Sequence, residues 1–161
     1  MINAPFHITR TSSADFAEIM EIQKKAFLSE AELYHNFNIQ PLTQTLEDMI
    51  EECKDKVVLK AVIDGKIVGS VRAKLDEDNC WVNKLIVLPE YQRKGIGKSL
   101  LFNIETFFPR AKKFILATGS NSKSNIKLYE KIGYKIVSKE NFSDGVEAVI
   151  MEKLAYPSTR T

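Results

Sequence analysis

The positions of apolar residues along the chain predict a regular succession of strands and helices. Short apolar or alternating runs rich in β-branched residues indicate strands, and these lie at 6–10, 57–63, 66–75, 81–88, 113–118, 134–138 and 146–154. Apolar residues three and four positions apart indicate helices, which span 12–28, 98–108 and 123–132, with a further helix that begins at Thr45. Between 29 and 44 the periodicity is lost, and we expect either a surface loop with a short helix or one wall of a binding site.

The turns between these elements predict the order of the strands in the sheet. Asp64-Gly65 is a strong hairpin signal, and the polar turn at 76–79 continues an antiparallel meander into the strand at 81–88. The strand, helix and strand that follow imply one parallel, right-handed crossover, and the last two strands form a hairpin around 142–145. We therefore predict a single α+β domain over residues 1–161, with a mixed, mostly antiparallel central sheet of about six to seven strands flanked by about four helices.

Composition and charge argue against several functional classes. The chain of 161 residues has a net charge of +2 and spreads its basic residues along its length, which does not indicate nucleic acid as a partner. Residues 1–7 lack the regions of a signal peptide, and no apolar run is long enough to cross a membrane, so we expect a cytoplasmic protein. Cys53 and Cys80 are expected as reduced, buried thiols, and His7 and His35 show no paired spacing that predicts a metal site.

The segment between the strand at 81–88 and the helix at 98–108 carries the strongest chemical signal. It contains the run Gln92-Arg93-Lys94-Gly95-Ile96-Gly97. Two glycines allow a tight turn and close approach of a ligand to the backbone, and the amides that follow are the unpaired donors of a helix N-terminus. Free amides and the positive end of the helix dipole together favour an anion, so we predict a phosphate-bearing ligand here.

Two common phosphate-binding motifs do not fit this segment. Gly97-Lys98-Ser99 resembles the end of a P-loop, but Gln92 stands where that motif needs its first glycine. The dinucleotide fingerprint begins at Gly95 and Gly97 but meets Leu100 at the position of its third glycine. A nucleotide-binding module therefore rests on the glycine pair alone.

The longer pattern around the glycines resembles motif A of the GNAT superfamily of acyl-CoA-dependent N-acyltransferases. It runs Leu85-x-Val87-x-Pro89-Glu90-Tyr91-Gln92-Arg93-Lys94-Gly95-Ile96-Gly97, with apolar helix positions behind it. A second block looks like the family's motif B and runs Asn121-x-x-x-Asn125-x-x-x-Leu128-Tyr129-Glu130-Lys131-x-Gly133-Tyr134. Taken alone, the second block also fits an amphipathic helix with core residues. The order of elements is also that of the GNAT fold, so the resemblance covers nearly the whole chain.

The resemblance implies that acetyl-CoA is the cofactor, and it assigns the contacts. The backbone from Arg93 to Ser99 is expected to hold the diphosphate, and the backbone of the central strand is expected to pair with the pantetheine arm. The implied cofactor-binding residues are Leu85, Ile86, Val87, Gln92, Arg93, Lys94, Gly95, Ile96, Gly97, Lys98, Ser99, Asn121, Asn125 and Tyr129.

The resemblance also implies catalytic roles. Tyr129 matches the family's tyrosine near the CoA sulfur and is the expected general acid, since its ordinary pKa of about 10 keeps it protonated at neutral pH; the alternative is a tyrosine packed in the core. Many relatives carry a glutamate on the central strand as the base, but this sequence has Trp81 and Asn83 there. The remaining candidates are a water chain ordered by Asn83, or three residues of the irregular segment that are also expected to contact the acceptor, namely Glu30, Glu32 and His35.

These expectations give one leading hypothesis and three alternatives. The leading hypothesis is an N-acetyltransferase that transfers the acetyl group of acetyl-CoA to a primary amine by direct attack in a ternary complex. A small-molecule amine is favoured as the acceptor, and a monomer or homodimer is expected. The alternatives are a protein or peptide amine as the acceptor, a non-catalytic acyl-CoA-binding or regulatory domain, and a nucleotide-binding module.

Overall fold

A computed structural model describes residues 5–142 and 144–155 and places seven strands in one sheet. The strands are β1 (His7–Arg10), β2 (Val57–Ile63), β3 (Lys66–Asp76), β4 (Asn79–Val87), β5 (Lys113–Gly119), β6 (Lys135–Asn141) and β7 (Glu147–Leu154). The helices within the described ranges are α1 (Phe16–Tyr34), the single turn α2 (Gln40–Thr43), α3 (Leu46–Cys53), α4 (Ile96–Glu105) and α5 (Lys123–Ile132). The strand order is β1-β2-β3-β4-β5-β7-β6, and only β4 and β5 pair in parallel. The predicted mixed, mostly antiparallel α+β fold is confirmed.

Several boundaries follow from local chemistry. Asp64 and Gly65 both have positive φ, at 49° and 78°, as the two-residue turn between β2 and β3 requires. The Thr45 hydroxyl accepts a hydrogen bond from the Asp48 amide at 3.1 Å and caps α3. Gly133, with φ of 115°, ends α5 in the left-handed conformation. Of the predicted β6–β7 turn, Ser143 lies outside the described residues.

The first helix is longer than the sequence predicts. It was expected to end at Leu28, but α1 continues to Tyr34. The apolar periodicity stops where the last two turns of α1 pack largely against loop residues, while Tyr34 also contacts Gly119 at the end of β5. Ala31 is fully buried in a small second cluster with Ile39 and Val146. Conversely, α4 ends at Glu105 and not at Phe108, since three successive tight turns follow it.

Helices cover both faces of the central strands. α4 packs on β2, β3 and β4, where Leu100, Leu101 and Ile104 are fully buried, while α1 and α3 pack on the opposite face. β3 is buried at every position from 67 to 73, as expected for a strand covered on both sides. No helix in the part of the chain that the structure describes is long and apolar enough to cross a membrane.

Candidate functional site

The site is a cleft that opens where β4 and β5 part. The two strands pair only at Asn79–Trp81 and Lys113–Ile115, and beyond these residues both line a cleft of about 1220 Å³. Within the described ranges, the edge of β4 from 82 to 87 therefore has no strand partner on its β5 side. Unpaired backbone groups inside a sheet are costly unless water or a ligand satisfies them. This edge is suited to an extended ligand that adds hydrogen bonds like a strand.

A β-bulge interrupts the alternation of side chains along β4 beside the cleft. Ser70 pairs with Ile86 and Arg72 with Asn83, so the one residue between them on β3 faces two residues on β4, Lys84 and Leu85. Lys84 has φ of 54°, in the left-handed region that is uncommon for residues other than glycine. Because bulges break the alternation of inward and outward positions, side-chain directions at 84 and 85 do not follow from the sequence.

The glycine segment ends in a helix N-terminus that faces the cleft. The side-chain amide of Gln92 donates to the carbonyl of Val87 at 3.1 Å, which holds the segment against the end of β4. Arg93 and Gly95 both have positive φ, at 64° and 83°, and α4 begins directly afterwards, with Gly95, Gly97 and Lys98 lining the cleft. The first amides of α4 have no acceptor within the helix. Such free amides favour an anion, and they lie beside the unpaired strand edge.

The surroundings of Gly97 show that its cradle is open towards a ligand. A Cβ atom placed on Gly97 would lie 3.5 Å from a methyl group of Leu128 and 3.8 Å from one of Val87, which are ordinary contact distances. Packing within the chain therefore does not require a glycine at this position. The missing side chain leaves the backbone accessible, and the residues present fit an extended ligand with an anionic end.

Tyr129 places a protonated hydroxyl in the cleft. It lies on α5 and is only 6% exposed, with its ring edge-on to Tyr134 at 6.1 Å. Burial, and after it the negative charge of Glu30, raises the pKa of Tyr129 well above its usual value. No group among the described residues forms a hydrogen bond with its hydroxyl. The hydroxyl is therefore available to a ligand and keeps its proton at neutral pH.

Hydrogen bonds from α1 and the segment after it close one end of the cleft. The Glu30 carboxylate accepts from the Ser122 hydroxyl at 2.6 Å, and the Tyr34 hydroxyl accepts from the backbone N–H of Asn121 at 2.7 Å. The Asn36 side chain donates to the carbonyl of Asp144 at 2.8 Å. These contacts join the irregular segment to the loops after β5 and β6. Glu30 and Tyr34 of this segment line the cleft, and the short helix α2 also lies within it.

The cleft brings together most of the residues predicted for the site. Those that line it are Glu30, Asn83, Leu85, Ile86, Val87, Gln92, Arg93, Gly95, Gly97, Lys98, Asn125 and Tyr129. Six other predicted residues are outside this lining, namely Glu32, His35, Lys94, Ile96, Ser99 and Asn121. The side chain of Ile96 is buried in the core, so only its backbone can reach a ligand. Glu32 is exposed on α1, and His35 ends that helix with φ of 50°.

Lys84 and Tyr34 are among the cleft residues that the sequence did not indicate. A signal for Tyr34 existed, because it lies in the irregular segment that was considered as a wall of the site. No signal marked Lys84, since only the bulge determines where its side chain lies.

Comparisons with known proteins agree with this geometry. A family model described as an acetyltransferase (GNAT) domain matches residues 21–155. An uncharacterized protein of Bacillus subtilis, YyaT, is 26% identical over 148 residues, which cover 89% of this chain and 91% of that protein. An uncharacterized N-acetyltransferase of Methanocaldococcus jannaschii is 25% identical over 152 residues, which cover 91% of this chain and 90% of that protein.

Solved structures share the fold. The PaiA N-acetyltransferase of Thermoplasma acidophilum, in complex with coenzyme A, has a TM-score of 0.75 at 20% identity, over 94% of this chain and 99% of that one. A putative acetyltransferase of Salmonella typhimurium, yncA, with acetyl-CoA, has a TM-score of 0.75 at 19% identity, over 98% of both chains. Because the family model spans most of the sequence, the chain belongs to the GNAT family of acetyltransferases.

Proposed function

We propose that this chain transfers the acetyl group of acetyl-CoA to a primary amine, favouring a small-molecule acceptor, by direct attack in a ternary complex. The observation that carries the proposal is the cleft itself. It combines an unpaired strand edge, an open helix N-terminus and a protonated tyrosine hydroxyl. Two proteins of similar fold hold coenzyme A or acetyl-CoA.

Acetyl-CoA supplies an acyl group already activated as a thioester. In our proposal, the backbone from Arg93 to Ser99 holds its diphosphate through the free amides of α4, and the edge of β4 from Leu85 to Val87 pairs with its pantetheine arm. The Asn125 side chain, which lines the cleft, adds a hydrogen bond to that arm. In the same proposal, backbone amides of the bulged strand stabilise negative charge on the acyl oxygen.

Tyr129 acts on the leaving group in this proposal. Its pKa lies above the value of about 8.5 for a free thiol. The hydroxyl therefore holds its proton at the cleft and donates a hydrogen bond to the departing sulfur. Complete transfer of the proton is not needed for that stabilisation.

The bridged end of the cleft favours a small acceptor. Asp144 joins the loop after β6 to the segment after α1. Its backbone carbonyl accepts from the side-chain amide of Asn36, and its carboxylate accepts from the backbone N–H of Gln40 at 3.2 Å. An acceptor that enters here meets a closed wall. A long peptide would need these bonds to open, and for this reason a protein amine is the second choice.

A non-catalytic acyl-CoA-binding or regulatory domain is the alternative function. The observation that favours it is the absence of a carboxylate at the two β4 positions that line the acceptor side, Trp81 and Asn83. In the orientation that satisfies both partners, the side-chain amide of Asn83 donates to the backbone carbonyl of Arg72 and accepts from the Lys56 amine, each at 3.3 Å. Binding of acetyl-CoA without turnover on any amine would favour this alternative.

A thermal-shift titration with acetyl-CoA, CoA and ATP tests the proposed cofactor. At 100 times its Kd, a ligand that binds only the folded chain stabilises it by about 2.7 kcal/mol, which corresponds to a rise in Tm of about 5–10 °C for a chain of this size. We expect both CoA species to give this shift and ATP to give none. Release of CoA thiol is then followed over a panel of small amines and peptides. No shift with either CoA species would contradict the proposal.

Replacing Gly97 with valine is expected to weaken acetyl-CoA binding at least tenfold while the free chain remains folded. The chain has room for the first methyl group near Leu128, but a branched side chain fills the cradle in front of the α4 amides. Isothermal titration calorimetry measures the change in affinity. Asn103→Val, at an exposed position of the same helix, controls for the cost of a β-branched residue in α4. Unchanged affinity in Gly97→Val would show that the diphosphate lies elsewhere.

A further inference from the structure

Lys84 is a residue of the cleft lining, and its amine has no carboxylate partner of its own among the described residues. Among residues 5–142 and 144–155, its amine forms no ion pair, whereas Lys56 and Lys60 bind Glu52 and Asp15 at 2.8 and 2.9 Å. Its backbone is held with positive φ by the bulge in β4. A backbone with positive φ costs less conformational free energy for glycine or asparagine than for lysine.

The groups around Lys84 explain why its charge is poorly compensated. The nearby carboxylate is Glu52 on α3, and both of its oxygens already accept from Arg72 of β3, at 2.9 and 3.0 Å, and one accepts from Lys56 at 2.8 Å. Cys53 on α3 is the remaining titratable neighbour, and its pKa is raised by burial. Three cations thus surround a single carboxylate. Burial, followed by the positive charge of Arg72, lowers the pKa of Lys84 to about 8.

Three carboxylates also line the cleft, and each of them either already accepts hydrogen bonds or lies exposed at an edge. Glu30 is held by the Ser122 hydroxyl, and Asp144 accepts from two backbone amides, those of Gln40 and Val146. Glu140 is exposed on the edge strand β6. Tyr129 already carries its proton. An acceptor amine has a pKa of about 10.4 and is mostly an ammonium ion at neutral pH, so its attack requires a base.

We propose that the uncharged amine of Lys84 is the general base that deprotonates the acceptor ammonium. This role rests on the proposed acetyl transfer. One proton of the ammonium passes to Nζ of Lys84 and from there to solvent. The freed nitrogen lone pair forms the bond to the acyl carbon as the carbon–sulfur bond breaks and its electron pair leaves on sulfur. A second proton leaves the nitrogen and ends on the sulfur, which gives the amide and the free thiol of CoA. A lysine whose pKa is lowered by burial is a known type of general base.

Two substitutions of Lys84 distinguish a general base from a residue that only supplies a permanent positive charge. Lys84→Arg keeps a positive charge that cannot be removed at any working pH, and Lys84→Met removes the charge but keeps an unbranched chain. Lys54→Arg is the matched control, because Lys54 is an exposed lysine on the surface beyond α3 and pairs with Glu51. Carbon-13 NMR of lysine-labelled, ligand-free chain follows the titration of Lys84, whose signal is identified by its loss in Lys84→Met.

We expect the Lys84 signal to titrate near pH 8. Both Lys84 variants should lower kcat about 100-fold at pH 7.5, with acetyl-CoA affinity within about threefold of wild type. The wild-type rate should rise with pH and level off above about pH 8, whereas the rate of each variant should keep rising towards the pKa of the acceptor. Lys54→Arg should match wild type in rate and profile.

Different results would overturn different parts of the proposal. A Lys84 titration above pH 10, or a Lys84→Arg variant with the wild-type rate and pH profile, would overturn the role of Lys84 alone. If Lys84 only bound an anion, Lys84→Arg would keep the wild-type rate and pH profile, because arginine keeps the positive charge. No acetyl-CoA binding or turnover by the wild-type chain would overturn the proposed function and this role with it.

Discussion

Replacing Tyr129 with phenylalanine is expected to lower turnover about 100-fold, while the affinity for acetyl-CoA changes less than about threefold. The hydroxyl lies in the cleft with no partner among the described residues, and the raised pKa keeps it protonated. Its removal deprives only the departing sulfur of a donor. Steady-state kinetics at saturating acetyl-CoA, together with calorimetric binding, measure the two effects separately.

Tyr134→Phe is the matched control for this substitution. Tyr134 is equally buried and packs against the ring of Tyr129, but its hydroxyl donates to the Glu105 carboxylate at 3.0 Å and does not line the cleft. We expect it to lose roughly 1–3 kcal/mol of stability, since a carboxylate is left without one of its donors, and to keep its turnover. A Tyr129→Phe variant with the wild-type turnover rate would leave Tyr129 as a packing residue.

Replacing Glu52 with alanine is expected to lower the free energy of unfolding by about 3 kcal/mol. Arg72 is only 1% exposed, and Glu52 is the carboxylate that neutralises it. Removing one partner of a buried ion pair leaves an uncompensated charge, which costs about 3–5 kcal/mol when both partners are buried. Because Glu52 is partly exposed, the loss of unfolding free energy is expected at the lower end of this range. The expected fall in Tm is about 6–12 °C, measured by calorimetry.

Two variants control for other effects of removing a glutamate. Glu51→Ala removes a neighbouring carboxylate of α3 that pairs with Lys54 at the surface, with 74% of its side chain exposed, and should change stability by less than about 1 kcal/mol. Replacing both Glu52 and Arg72 with methionine removes the pair together and should restore most of the loss. Equal stability of Glu52→Ala and wild type would show that Arg72 is neutralised in another way.

The same ion pair predicts part of the acid sensitivity of the chain. Burial by itself would raise the pKa of Glu52, but the hydrogen bonds and charge of Arg72 outweigh it and hold this pKa far below the usual 4.5. A depressed carboxyl pKa stabilises the fold fully above the unfolded value, and this contribution is lost as pH falls below it. The stability difference between wild type and Glu52→Ala should therefore shrink as pH falls below about 4.5.

Local features of the sequence determined the elements and the order of most of them. The turn at Asp64-Gly65 and the end of α5 at Gly133 need positive φ, and residues suited to it stand there. The glycine segment was located correctly because a strand, two glycines and an apolar helix follow each other within a few residues. Contacts between neighbours in sequence decide such features. The family and the general form of the anion site followed from them.

Only the tertiary structure decided which groups line the end of the cleft next to α1. α1 extends to Tyr34 because its last turns bind the loops after β5 and β6, which are distant in sequence. Lys84 lies at the point of the cleft lining where β3 and β4 slip by one residue, and no local pattern marks a bulge. The lowered pKa of its amine depends on Arg72 and Glu52, which lie on two other elements. The sequence by itself determined the scaffold, and long-range packing decided which charges lie close to one another at the cleft.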